Sequence, residues 1–185
     1  MSGEENKKRI LFWSITIILI IFIYGTLGYV RPVVNFLVEH KLKTFAVAFI
    51  LLGFFSALFF TLIYNKRVKL INLIVVILVG IAYAFFLKFL VVMPEERIHF
   101  AEYGLVAFFL YKALKIDVRN KIEIFVIGSI LLFLFGWGDE LIQKLLPDRY
   151  YDLRDVFINF ISGVLVFILM LSVGYSEKAY EEEYY

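Results

Sequence analysis

The sequence predicts an all-α, polytopic membrane protein built as one bundle of six transmembrane helices. Three observations predict it. First, 62% of the 185 residues are hydrophobic and 19% are charged, whereas soluble domains average roughly 45–50% and about 25%. Second, apolar stretches recur along the chain at the length of about 20 residues that crosses about 30 Å of hydrocarbon at 1.5 Å per residue. Third, the chain contains 0 Cys and only 3 Pro, which excludes a disulfide framework, a zinc ribbon, a thiolate nucleophile and a proline-rich linker. The 19 basic and 17 acidic residues nearly cancel, so a nucleic-acid binder relying on bulk positive charge is excluded as well.

The expected spans are Ile10 to Val30, Thr44 to Tyr64, Leu70 to Met93, Ile98 to Leu114, Ile122 to Ile142 and Val156 to Tyr175. Lys7, Lys8 and Arg9 precede the first, as in a signal peptide. Its run is longer than the usual roughly 7–15 residues, however, and Gly25-Thr26-Leu27-Gly28 offers no clear cleavage pattern, so it reads as a retained anchor. The fourth stretch is short and carries His99 and Glu102 near its start. Extending it back to Pro94 restores full length: proline suits a first helical turn, and Glu95 and Glu96 then face the positive end of the helix dipole. The whole chain, 1–185, reads as a single membrane domain. Residues 10–93 form its first three helices, 94–175 its last three and 176–185 an acidic C-terminal tail.

Orientation follows from the basic residues of the short loops. With the N-terminus inside, the cytoplasmic side collects Lys7, Lys8, Arg9, Lys66, Arg67, Lys69, Lys112, Lys115, Arg119, Lys121 and Lys178. The loop Asn65 to Lys69 has three basic residues and no acid. Both termini and the loops near Lys66 and Asn120 are therefore expected in the cytoplasm, and those near Glu95 and Asp148 outside.

Ionisable groups at membrane depth cost a few kcal/mol each and tend to face a bundle interior or a watery cavity. Here they cluster at one end of the last three spans. In the fourth, His99 lies three residues from Glu102 and four from Tyr103, so an imidazole, a carboxylate and a phenol share one face. The fifth ends in Asp139-Glu140-Leu141-Ile142-Gln143, with Pro147 beyond it. The sixth opens with Asp152, suited to an N-cap, and continues as a stripe of Asp155, Asn159 and Ser162. The topology brings these three ends, and the loop carrying Arg149, to one membrane face. The opposite face, with Asp117 and Glu123 among scattered Lys and Arg, reads as headgroup anchoring. Trp13 and Trp137 read as interfacial belt residues, and Lys88 as a snorkelling side chain.

The order and spacing of His99-Phe100, Tyr103, Asp139-Glu140-x-x-Gln143, Pro147-x-Arg149 and Asp155-x-x-x-Asn159 with Gly163 resembles the VanZ-like family of bacterial membrane proteins. The resemblance runs from about Glu96 to Gly163. Where that family often has Asp-Lys before its His, this chain has Glu96-Arg97, which keeps the charge character. The resemblance implies a bacterial cell membrane and a teicoplanin-resistance type of role, and it implies no settled mechanism.

The residues themselves support three readings. In the first, His99, Glu102, Tyr103, Asp139, Glu140, Gln143, Arg149, Asp155 and Asn159 line an outward-facing site for a lipid-linked or lipoglycopeptide-type ligand. Arg149 would hold a phosphate or carboxylate, and the amides of Gln143 and Asn159 would supply donors and acceptors. In the second, the chain is an intramembrane enzyme acting on a lipid headgroup or lipid-linked cell-wall precursor. Glu140 or Glu102 would then be a protonated acid and Asp155 a base, with His99 able to share either role. A divalent metal held by Glu102, Glu140, Asp155 and His99 would suit that mixed N/O set; no His-Glu-x-x-His signature is present, and no cofactor is required. The third, a transporter, lacks a polar path to the inner face and paired broken helices. The expected partners are membrane lipids and not nucleic acid.

Overall fold

The computed structural model describes residues 2–40, 70–91, 93–147 and 149–184. Among these there are five helices and no strand: α1 (Gly3–Glu39), α2 (Leu70–Phe89), α3 (Pro94–Asp117), α4 (Lys121–Gln143) and α5 (Leu153–Tyr184). The stretch Thr44 to Tyr64, expected as the second span, lies outside the described residues. Among the described residues, four helical segments are long and apolar enough to cross a membrane: Gly3–Leu37, Leu70–Phe89, Lys121–Gln143 and Leu153–Ser172. Residues 176–184 of the acidic C-terminal tail are helical and continue α5 to Tyr184.

α3 is not among the four, and its position explains why. It packs against α1, α4 and α5. Phe100, Tyr103, Val106, Ala107, Leu110, Tyr111, Ala113 and Leu114 are all buried. A helix that faces protein on most sides has little need to match lipid, so it tolerates Glu96, Arg97, His99 and Glu102. The helix begins at Pro94, as the sequence predicts, and the Glu96 carboxylate accepts the Met93 backbone N–H at 3.1 Å. One of the orphan donors of its first turn is thus satisfied by its own side chain.

α2 shows the reverse polarity of a soluble helix. Its buried residues are Asn72, Val79 and Tyr83, while Leu70, Ile71, Leu73, Ile77, Leu78 and Ile81 are exposed. Apolar surface turned outward and polar groups turned inward is what hydrocarbon selects. Asn72 Nδ2 donates to the Ser172 carbonyl at 2.8 Å, and the Tyr83 hydroxyl lies 2.7 Å from Ser162 Oγ. Ser162 Oγ in turn donates to the Phe100 carbonyl. This serine, expected as the inner end of a polar stripe, ties α2, α3 and α5 together.

Close approach does the rest of the packing, because lipid tails give no hydrophobic drive between helices. Phe167 of α5 lies over Gly128 of α4, and Leu132 of α4 lies over Gly163 of α5. At the opposite end, Arg9 Nε lies 2.6 Å from Asp117 Oδ1, and Trp13 Nε1 donates to Asp117 Oδ2 at 2.8 Å. Asp117, expected on the headgroup-anchoring face, and Trp13, expected in the interfacial belt, join the start of α1 to the end of α3. Lys88 rests its ammonium 5.1 Å from the centre of the Phe89 ring.

Candidate functional site

At the other end of the bundle the first turns of α3 and α5, the last turn of α4 and the C-terminal part of α1 converge. Asp152 caps α5: its Oδ1 accepts the Arg154 N–H at 2.8 Å. The Arg154 side chain then crosses to Glu96 in the first turn of α3 as an ion pair. Glu140, in the last turn of α4, is fully buried; Oε1 accepts Gln143 Nε2 and Oε2 accepts the Asp152 backbone N–H, each at 2.9 Å. Side chains from three helices therefore fix the loop that carries Arg149. Arg149 Nη2 reaches the Leu27 carbonyl of α1 at 3.5 Å, in the stretch that precedes Pro32, the proline inside that helix.

Beneath this lies a buried polar layer. Asp139 Oδ2 faces the Tyr103 hydroxyl and Asn159 Nδ2, both at 3.4 Å. The Tyr103 and Tyr24 hydroxyls both donate to the Phe135 carbonyl, at 3.0 and 2.7 Å. Asp139, Tyr103 and Asn159 are at most 2% exposed. His99 stands between this layer and the open end. Its Nδ1 lies 3.0 Å from Glu102 Oε2, and the ring is within electrostatic reach of Asp139, Glu140, Arg149 and Asp155.

Above the layer is a cavity of about 340 Å³ lined by Arg31, Met93, Glu96, His99, Gln143, Arg149, Tyr150, Asp152, Arg154 and Asp155. Three guanidinium groups, from α1, the loop and α5, meet three carboxylates there. No family model, curated protein or solved structure matches this chain.

The structure brings the nine sequence-expected residues to one end of the bundle and divides them. His99, Gln143, Arg149 and Asp155 line the cavity; Tyr103, Asp139, Glu140 and Asn159 form the support behind it; Glu102 acts on the ring of His99. Among the described residues no three His, Asp or Glu side chains gather as a metal site. Of the four groups considered for a metal, Glu140 has a donor on each oxygen and Glu102 holds Nδ1 of His99, while Asp155 Oδ1 and His99 Nε2 have no hydrogen-bond partner. Sequence reasoning missed Arg31 altogether, and it left Glu96, Asp152 and Arg154 out of the site. The signal for Arg31 was an arginine followed by proline at the end of an apolar run on the same side as the site. For Glu96 and Arg154 the signal was opposite charge in the first turns of two helices whose starts the topology places together.

Proposed function

We propose that this chain is a VanZ-like membrane protein that binds the anionic headgroup of a lipid or lipid-linked cell-wall precursor at the outer membrane face. The observation that carries this reading is the convergence of Arg31, Arg149 and Arg154, from three separate elements, on one cavity at the end of lipid-exposed helices. Arg154 pairs with Glu96; Arg31 and Arg149 approach the cavity from α1 and from the loop, and the anion is assigned to these two. Planar guanidinium forks match phosphate and carboxylate oxygens pairwise. Exposed apolar flanks such as Phe22, Tyr29 and Val33 of α1 leave room for the ligand's chains in the surrounding lipid.

In this reading the full bundle has six helices, with Thr44 to Tyr64 as the second, and both termini lie in the cytoplasm. Sequestering a precursor lipid would alter its exposure to a lipoglycopeptide, which accords with the resistance-type role that the resemblance implies. A second reading, catalysis on the bound headgroup, draws on the His99–Glu102 pair, since a carboxylate on Nδ1 fixes the tautomer of a general base. It requires a lipid product that disappears in His99→Gln.

The test is native mass spectrometry of the detergent-purified chain with phosphatidylglycerol. Wild type is expected to retain the lipid and Arg149→Ala to lose about tenfold in retention, the scale of a charge-assisted hydrogen bond. Equal retention by Arg149→Ala and by Arg31→Ala overturns the reading.

A further inference from the structure

We infer that the headgroup seated in this cavity carries a protonated primary amine beside its phosphate, as phosphoethanolamine does, with the amine against Asp155 and His99. The phosphate half rests on the anion reading above; the amine half rests on separate atoms. Asp155 Oδ1 and His99 Nε2 belong to cavity-lining residues, and both atoms are buried without a hydrogen-bond partner. The cation beside Asp155, Arg154 Nη2, stands 3.7 Å from that oxygen, beyond hydrogen-bond length. With Glu102 accepting at Nδ1, Nε2 of His99 is an acceptor in the neutral imidazole. Asp139 Oδ1, in the layer beneath the cavity and within electrostatic reach of the ring, is a third buried atom without a hydrogen-bond partner.

Acceptors without donors define the missing group. Buried polar atoms are almost always paired, so an unpaired set on a cavity wall points to something that occupies it. A carboxylate or phosphate brings no donor. A hydroxyl brings one and a trimethylammonium none, whereas a primary ammonium carries three N–H groups and the charge that Asp155 and its neighbours Glu96 and Asp152 complement. The cavity thus has a basic part, Arg31 and Arg149, and an acidic part around the start of α5. A zwitterionic headgroup satisfies both, and a simple anion satisfies only one.

The experiment offers the purified full chain an equal mixture of phosphatidylethanolamine, its mono- and dimethyl derivatives, phosphatidylcholine and phosphatidylglycerol, all with the same acyl chains. Retained lipid is counted by native mass spectrometry. Retention is expected to fall stepwise as N–H groups are methylated, with phosphatidylethanolamine about tenfold above phosphatidylcholine. Asp155→Asn should bring that ratio close to one. Equal retention of phosphatidylethanolamine and phosphatidylcholine by wild type overturns the amine inference, and this comparison needs no variant. If phospholipid retention still depends on Arg149 in that case, the anion reading stands alone. Indifference of every phospholipid to Arg149→Ala removes the anion reading as well.

Discussion

Glu140 Oε2 accepts the backbone N–H of Asp152 at 2.9 Å, so a buried carboxylate at the end of α4 holds the cap residue of α5. The intervening loop, with Arg149 in it, is closed by that one contact and by Gln143 Nε2 on the other oxygen. Cavity geometry therefore depends on a side chain that does not line the cavity.

Glu140→Gln tests this dependence. An amide has one oxygen, so with that oxygen on the Asp152 N–H its NH2 meets Gln143 Nε2, donor against donor, and Gln143 must give up its present orientation to turn an oxygen inward. The expected cost is about 1–3 kcal/mol, that of an unsatisfied buried group. It should appear as a lower midpoint in thermal unfolding of the detergent-solubilised protein. Lipid retention should fall in parallel, although Glu140 touches no ligand. An unchanged midpoint would show that the loop is held by other contacts.

Helix packing gives a prediction with an internal control. An added methyl at Gly128 would meet the Phe167 ring, and at Gly163 it would lie 2.7 Å from Leu132 Cδ1. At Gly136 the nearest atoms are 3.5 Å away, an ordinary contact. Gly128→Ala and Gly163→Ala are expected to destabilise by about 1–3 kcal/mol through overpacking, with Gly136→Ala near neutral. Unfolding in mixed detergent measures all three. Similar midpoints for the three variants would mean that α4 and α5 do not approach this closely.

Arg31 extends the site to α1. Arg31→Gln removes the guanidinium but keeps much of the stem, so the helix packing of Leu27, Val30 and Val34 should survive. Retention of phosphatidylglycerol is expected to drop several-fold while the unfolding midpoint moves by less than about 0.5 kcal/mol equivalent. A drop in the midpoint without a drop in retention would assign Arg31 a structural role.

The polar half of this architecture was legible and much of the packing was not. Pro94 marks the start of α3, Asp152 caps α5, and the acids at the ends of α4 and α5 meet because antiparallel helices bring those ends together. By contrast, α1 buries Thr16, Ile20, Ile23, Leu27, Val30 and Val34 at spacings of three and four, yet its lipid-facing residues are just as apolar. Hydrophobic periodicity is silent where both neighbours, protein and lipid, want the same side chains. That silence hid Arg31, because nothing in the run showed which face of α1 turns inward. The Trp13–Asp117 contact was hidden by chain distance, since the two residues lie 104 positions apart. Chain distance also hid the Glu96–Arg154 pair, 58 residues apart.

Orientation is the remaining expectation on which the outward-facing site depends, and the cysteine-free chain makes it simple to check. Asn120 caps α4 through Ile122 N and lies at the end of the bundle away from the cavity; Tyr150 is 86% exposed and lines the cavity. Single substitutions Asn120→Cys and Tyr150→Cys therefore report the two faces. In intact cells an impermeant maleimide is expected to label the cysteine at 150 and spare the one at 120 until the membrane is opened. The reverse pattern would place the cavity in the cytoplasm, where a lipid of the inner leaflet replaces an exported precursor as the ligand. The charge bias that motivates the expectation is modest, 11 of 19 basic residues on the inner side. Two added lysines in the loop near Asn120 should leave labelling unchanged if the bias already sets the topology.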